Sequence, residues 1–397
     1  MTLLVIGAWA FASLLLLAAL YRCVFLLAQW LPVREAAPAS QPDRLRRFAV
    51  VIPAHDEELL IGDLIASLHA VEYPSDHLEV WVIADNCSDR TAARARALGV
   101  RVAERNDAAQ RGKGYALRWM FERLDLASFD AVALFDADNL VDRDFFAVMN
   151  RELARGRRCL QGYYGISNPG DSRLTRLMAV TYVMKNELFC AGKARLGLSV
   201  LLLGTGMVFA REVIASNGWA AVTIGEDLEQ SFELLERGES IRFVVGARIF
   251  AQEAATLRQG YAQRQRWSSG RHVLYGRARR AIAMGLRRRQ LGLIDAGAEL
   301  LLPTYSKLMN QSLLALLAAV LLRGRAPGLL PVVLLVLAYQ AGEIAVALRR
   351  MRAGPGFLAS LAFAPIFLAW KAVIDLLAVI GFRRHLWART LRNGGGR

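Results

Sequence analysis

The stretch Asp130-Ala131-Val132-Ala133-Leu134-Phe135-Asp136-Ala137-Asp138 runs five apolar residues into a pair of aspartates. A short apolar run that ends in polar residues reads as a buried strand. Carboxylates two residues apart in extended chain project to the same side, where together they can hold a divalent cation and, through it, a diphosphate. Taken alone, the pair also fits a solvated loop or a helix cap, so its meaning rests on what surrounds it.

Upstream, three more β-branched runs alternate with amphipathic stretches. The pattern predicts strands over 48–53, 79–84, 100–103 and 131–135, with helices over 57–70, 89–98 and 113–124. Such alternation argues for a mostly parallel sheet covered by helices. In such sheets ligands bind outside the carboxyl ends of the strands. His55-Asp56-Glu57-Glu58 follows the first strand, Asp85-Asn86-Cys87-Ser88-Asp89 the second, and Asp136-Ala137-Asp138 the fourth. Three polar clusters at three strand ends point to one site.

The 397-residue chain is 55% hydrophobic, enough for a large core with apolar residues left over. The excess sits at the ends. Residues 2–21 carry no charge and the apolar character resumes after Arg22 as far as Leu31, so 1–32 reads as a membrane anchor. A cleavable signal peptide fits less well, since a basic start and a clean small-residue cleavage motif are missing. Arg34, Arg44, Arg46 and Arg47 follow the anchor, which places the next domain, 45–253, in the cytoplasm. Residues 254–290 read as basic interfacial helices and 291–397 as a membrane region with a basic tail. Its candidate spans are 308–322, 329–348 and 357–380. If all three crossed, Arg383, Arg384, Arg389, Arg392 and Arg397 would end outside, against the positive-inside tendency. Pro365, Lys371 and Asp375 interrupt the last candidate, so it is expected to lie in the interface.

The formal net charge of +15 raises nucleic acid as a partner, but the arginines cluster beside apolar segments: Arg277, Arg279, Arg280 and Arg287 to Arg289, then Arg349, Arg350 and Arg352. That placement reads as contact with anionic lipid headgroups, and no nucleic-acid-binding motif accompanies it. Cys23, Cys87, Cys159 and Cys190 lack the paired spacing of a zinc site or a disulfide framework and read as reduced thiols.

Together, Val51-Ile52-Pro53-Ala54-His55-Asp56-Glu57-Glu58, Ala84-Asp85-Asn86-Cys87-Ser88-Asp89-Arg90-Thr91, Asp136-Ala137-Asp138, Gly225-Glu226-Asp227 and Gln263-Arg264-Gln265-Arg266-Trp267 resemble the membrane-bound branch of family 2 glycosyltransferases. Cellulose, chitin-oligosaccharide and hyaluronan synthases belong to that branch. The resemblance implies a GT-A fold, a Rossmann-like mixed α/β sheet, flanked by N- and C-terminal transmembrane and interfacial helices. It implies an inverting transferase of the bacterial-type inner membrane. The donor would be a UDP-sugar, the cofactor Mg2+ or Mn2+, and the acceptor a glycan or a lipid-linked acceptor. Membrane lipids and synthase or export subunits would be its partners.

By resemblance, Asp138 is the direct metal ligand and Asp136 joins it while contacting nucleotide or ribose. Ala54 through Glu57 pack on the nucleotide and Asp85 recognises the base. Asp56 departs from the family's asparagine, exchanging an amide for an acceptor-only carboxylate; a side chain that only caps the next helix would tolerate this. Lys113, between two glycines, is positioned to meet the diphosphate. Asp227, with Glu226, matches the family's catalytic acids, Asp227 as the base that takes the acceptor proton; Gly225 replaces a threonine. Gly204 and Thr205 follow the apolar run 198–203 and match a small-residue turn beside the acceptor. On a helix Gln263, Arg266 and Trp267 share a face, presenting an amide, a guanidinium for phosphate and an aromatic plane for sugar. In the family this motif accompanies repeated addition. Addition of one sugar to a lipid is the close rival, and a non-catalytic nucleotide-binding scaffold would have lost an essential carboxylate. A transporter has little support, with few spans and no internal repeat.

Overall fold

The computed structural model describes residues 2–31 and 44–381. Arg34 and the tail arginines from Arg383 onward, on which the topology reading leaned, lie outside these. Eight strands form one sheet: β1 Phe48–Ala54, β2 Leu78–Asp85, β3 Arg101–Arg105, β4 Ala131–Leu134, β5 Asn139–Val141, β6 Cys159–Ile166, β7 Met207–Ala210 and β8 Ile241–Ala251. Their order is β3-β2-β1-β4-β7-β6-β8-β5. Strands β3, β2, β1 and β4 run parallel, and β7 is antiparallel to both β4 and β6. β8 pairs parallel with β6, and β5 antiparallel with β8. The result is a GT-A-type mixed sheet.

Side chains alternate across a strand, and the apolar runs therefore feed two cores. Ala49, Val51, Val132, Leu134, Met207 and Phe209 face one side, whereas Phe48, Val50, Ile52, Ala131, Ala133 and Val208 face the other. A strand apolar on both faces belongs in the middle of a covered sheet, which is where β1 and β4 sit. The helix expected over 57–70 begins only at Ile61 and runs to His69. Asp56 has a φ of 53°, in the left-handed region, and Leu60 donates to the Glu57 carbonyl, so the chain turns before it winds. The apolar run 198–203 joins no strand; β7 follows the Gly204-Thr205-Gly206 turn instead of preceding it.

Among the described residues, three helices are long and apolar enough to cross a membrane: Thr2–Ala28, Leu329–Arg350 and the broken Pro355–Val379, with Tyr305–Leu321 shorter. Charges within them find partners. Arg22 makes two bonds to Glu343, of 3.2 and 2.5 Å, joining the first span to the Leu329–Arg350 helix. Lys371 and Asp375 pair with each other and with Ser268 of helix Leu257–Val273. In the arginine-rich helix Tyr275–Arg288 two of the arginines bond within the protein. Arg277 donates to Glu233 at 2.8 Å and Glu236 at 2.6 Å, and Arg288 to the Glu236 carbonyl.

The N-terminal helix docks on the sheet domain through a wider, π-wound turn at Met184–Cys190. Gln29 reaches the Leu188 carbonyl, and Phe25 meets Phe189 edge to face at 5.0 Å. The closest approach is at Gly192, where an added Cβ would overlap the Phe25 carbonyl oxygen and lie 2.8 Å from its carbonyl carbon. We therefore expect Gly192→Ala to destabilise this junction by about 1–3 kcal/mol, the cost of overpacking. Thermal unfolding of the detergent-solubilised chain checks it; an unchanged midpoint would refute the close fit.

Candidate active site

The loops after β1, β2 and β4 meet around a cleft of roughly 630 Å³. At the end of β1, Asp56 ties two loops together, accepting from the backbone N–H of Ser88 at 2.7 Å and of Asp89 at 3.2 Å. Burial works against its ionised form, but the Ser88 and Asp89 hydrogen bonds hold its carboxyl below the usual range. The aspartate suits this task as well as the family's asparagine would. It does not line the cleft; Ala54, His55 and Glu57 do.

Asp85 ends β2 with 2% of its surface exposed, opposite Arg105 at the end of β3. Arg105 Nη1 donates to Asp85 Oδ1 at 2.6 Å, while buried Oδ2 accepts no hydrogen bond within the protein. Burial raises the Asp85 carboxyl above its ordinary range, with Arg105 pulling it back. Arg105 also holds Asp107 and the Gln110 carbonyl, fixing the loop that leads to Lys113. Sequence reasoning missed Arg105; the signal lay only in the register that sets it beside Asp85.

Asp136 and Asp138 do not continue the strand. The chain turns there, with Asn139 donating to the Asp136 carbonyl at 3.1 Å. In return Asp136 N–H donates to Asn139 Oδ1 and to Thr205 Oγ1. The two carboxylates reach the same cleft by a turn instead of by strand alternation. Thr205 is fully buried, and its hydroxyl is engaged with Asn139 and Asp136. It supports the turn and is not among the residues lining the cleft, whereas neighbouring Gly204 is. Asn139, also missed in the sequence, is the hub of this arrangement.

Lys113 opens helix Lys113–Phe121. Its ammonium lies 2.5 Å from Asp136 Oδ1 and 3.5 Å from Glu226 Oε1, and also meets the Gly204 carbonyl. Burial would discharge it, but Asp136 and Glu226 raise its pKa. The flanking Gly114 is required by packing, since a Cβ there would lie 2.8 Å from Val222 Cα. Glu226 and Asp227 begin helix Glu226–Glu236. Burial first, and then the charge of Glu226, push the Asp227 carboxyl up to about 7. Gly225 packs on Gly270, with a Cβ at 225 lying 3.2 Å from the Gly270 Cα and carbonyl oxygen, so a side chain there would press on that crossing.

Helix Leu257–Val273 starts with a Thr256/Gln259 capping box and brings Gln263, Arg266 and Trp267 to the cleft wall. Gln263 is buried and its Oε1 has no partner in the protein. Arg264 stacks on the Trp267 ring at 4.4 Å and is pinned by Glu253 at 2.7 Å. A cationic plane thus covers part of an otherwise exposed indole. A separate donor group, Asp56, Cys87 and Asp89, has its ligand atoms within 4.8 Å of one another. None of the three lines the cleft, and their carboxylates already accept from Ser88, Glu58 and Thr91.

Residues 46–270 match the family model described as glycosyltransferase like family 2. The chain is 28% identical to a beta-monoglucosyldiacylglycerol synthase of Synechocystis, over 62% of this chain and 54% of that protein. It is 26% identical to a poly-beta-1,6-N-acetyl-D-glucosamine synthase of Staphylococcus aureus, over 59% of this chain and 57% of that one. It therefore spans about half the length of these relatives. Among solved structures, the mannosyltransferase PcManGT from Pyrobaculum calidifontis, in complex with GDP-Man and Mn2+, superposes with a TM-score of 0.58. That match has 18% identity and covers 94% of this chain and 99% of the other; it establishes the shared fold.

Proposed function

Since the chain belongs to glycosyltransferase family 2, we propose that it transfers a sugar from a UDP-sugar to a glycan or lipid-linked acceptor at the cytoplasmic face of a bacterial-type inner membrane, with inversion. One observation carries this reading. A buried acceptor, the free Oδ2 of Asp85, two turn-borne carboxylates, the Lys113 ammonium and the poised Asp227 all face one cleft.

Asp85 supplies an acceptor for an imide N–H of the base. Lys113 and Arg266 supply positive charge for a diphosphate, and Trp267 a plane for the sugar. Asp227 removes the proton from the acceptor hydroxyl as its oxygen bonds to the anomeric carbon. The bond from that carbon to the diphosphate breaks, and the nucleoside diphosphate leaves with the electron pair. Asp136 and Asp138 are hard oxygen donors on one turn and fit Mg2+ or Mn2+. Bound there, such an ion would neutralise charge building on the leaving diphosphate.

The test is a panel of UDP- and GDP-sugars offered to membranes with magnesium or manganese, following nucleotide release and anomeric configuration. Acceptor-dependent UDP release with inversion is expected; net retention would overturn the single displacement. The Gln263-x-x-Arg266-Trp267 motif favours repeated addition, so labelled products should form a ladder, and one discrete lipid would limit the enzyme to a single transfer.

A carboxyl titrating near 7 must lose its proton to act as a base. We expect kcat/KM to fall by about tenfold per pH unit below that value and to level off above it. A flat profile from pH 5 to 8 would remove Asp227 from this role.

A further inference from the structure

A second cavity, of roughly 310 Å³, adjoins the cleft, and Trp267 lines both. Its walls come from helices Arg173–Val183, Leu257–Val273, Tyr305–Leu321, Leu329–Arg350 and Ala364–Val379, with Met178, Met309, Ile344, Phe367 and Leu368 among the apolar lining residues. Two of these helices belong to segments long enough to cross a membrane. An apolar chamber so placed is suited to alkyl chains.

Its charges are unbalanced. Arg264 is matched by Glu253. Lys307 and Lys371, however, share the single oxygen Asp375 Oδ1, the first at 3.8 Å, and Ser268 donates to that same oxygen at 2.6 Å. Arg271 donates to the backbone carbonyls of Glu299 and Leu300. Two ammoniums and a guanidinium thus line the cavity beside one carboxylate. The lysine side chains are only 16% and 12% exposed. Cations withdrawn from water without matching anions are costly, and an incoming anion would offset that cost.

We propose that this cavity seats the alkyl chain of an anionic, phosphate-bearing lipid acceptor, its phosphate against Lys307 and Arg271 and its headgroup hydroxyl carried past Trp267 towards Asp227. The inference rests on reading the cleft as a glycosyl-transfer site and specifies the acceptor class. Three features support this occupant together: the apolar lining, the surplus of positive charge and the continuity with the cleft through one shared indole.

The test uses the full-length chain in zwitterionic nanodiscs and hexadecyl phosphate carrying a photoreactive diazirine at the end of its chain. Label is expected on peptides containing Met178, Phe367 or Leu368. Dodecyl phosphate should compete, whereas dodecanol and inorganic phosphate should not. Lys307→Gln should weaken capture about tenfold, as loss of one charge-assisted contact does, and Ala364→Trp should block it by filling the chamber. UDP binding, measured in parallel by calorimetry, should be unchanged in both variants. Equal competition by dodecanol would mean a neutral lipid, and competition by inorganic phosphate a free-anion site; either overturns the proposal. Absence of label with UDP binding intact overturns it while leaving the transferase reading standing. Failure of the unaltered chain to bind UDP would overturn that reading itself.

Discussion

Asp227→Asn is expected to lower kcat/KM for sugar transfer by about 10³-fold, within the range of lost general-base catalysis, while UDP binding persists. At 1.36 kcal/mol per tenfold, this is a loss of about 4 kcal/mol of transition-state stabilisation. An amide cannot take the acceptor's proton, yet it matches the carboxyl in shape and can still accept from the Leu228 N–H, which lies 2.8 Å from Oδ1. The helix start is therefore preserved. The carboxylates on the turn after β4 are untouched, so the donor half of the site remains. The variant should also lose the acid limb of the pH profile, which separates removal of the base from a general loosening of the cleft. Full activity in purified membranes would sink the assignment, and loss of UDP binding would show that the substitution had disturbed the fold.

The two halves of this site differ in how far they can be read from sequence. The parallel half was legible because its central strands β1 and β4 are buried on both faces, which forces continuous apolar runs, and because polar residues gather where such strands end. Asp85, Asp136 and Asp138 stand at or just after such strand ends, whereas their roles and that of Lys113 rest on the motif resemblance. Among the later strands, β5 and β7 were too short to read individually. β7 has only four residues and enters from a glycine turn, and β5 has three; segments so short leave little periodicity. The contacts that aim the site were hidden for a different reason. Asn139 orients Asp136 through a turn that strand alternation does not predict. Arg105 meets Asp85 only because two strands share a register. Away from the site, Lys193 looks like a surface lysine in sequence but is fully buried between Asp295 at 2.7 Å and Glu299 at 2.5 Å. Each of these depends on residues distant in the chain, and local pattern carries no trace of them.

Lys113→Gln is expected to cut kcat/KM by about 10²-fold, the scale of losing one preorganised charge at a transition state, and to move the acid limb of the pH profile upward. The two effects have one origin. Lys113 is the cation that touches Asp136 and Glu226, and its charge lowers the Asp227 carboxyl against burial and against Glu226. Without it, the carboxyls of Asp136, Glu226 and Asp227 face one cleft with less to neutralise them, and the proton on Asp227 is held more tightly. A higher pH is then needed to expose the base. The same substitution removes a charge available to the leaving diphosphate, so the plateau rate also drops, and raising the pH recovers only the part due to protonation. Lys113→Arg distinguishes the components. A guanidinium restores the positive charge, and with it much of the pH shift, but its planar fork cannot reproduce the point contact of an ammonium with Asp136 and the Gly204 carbonyl. The plateau should therefore stay low while the limb moves back. If the glutamine variant kept the wild-type limb and lost only rate, Lys113 would act on the diphosphate alone. If it kept the rate as well, the ammonium would be a structural bridge, and the positive side of the cleft would belong to Arg111 and Arg266.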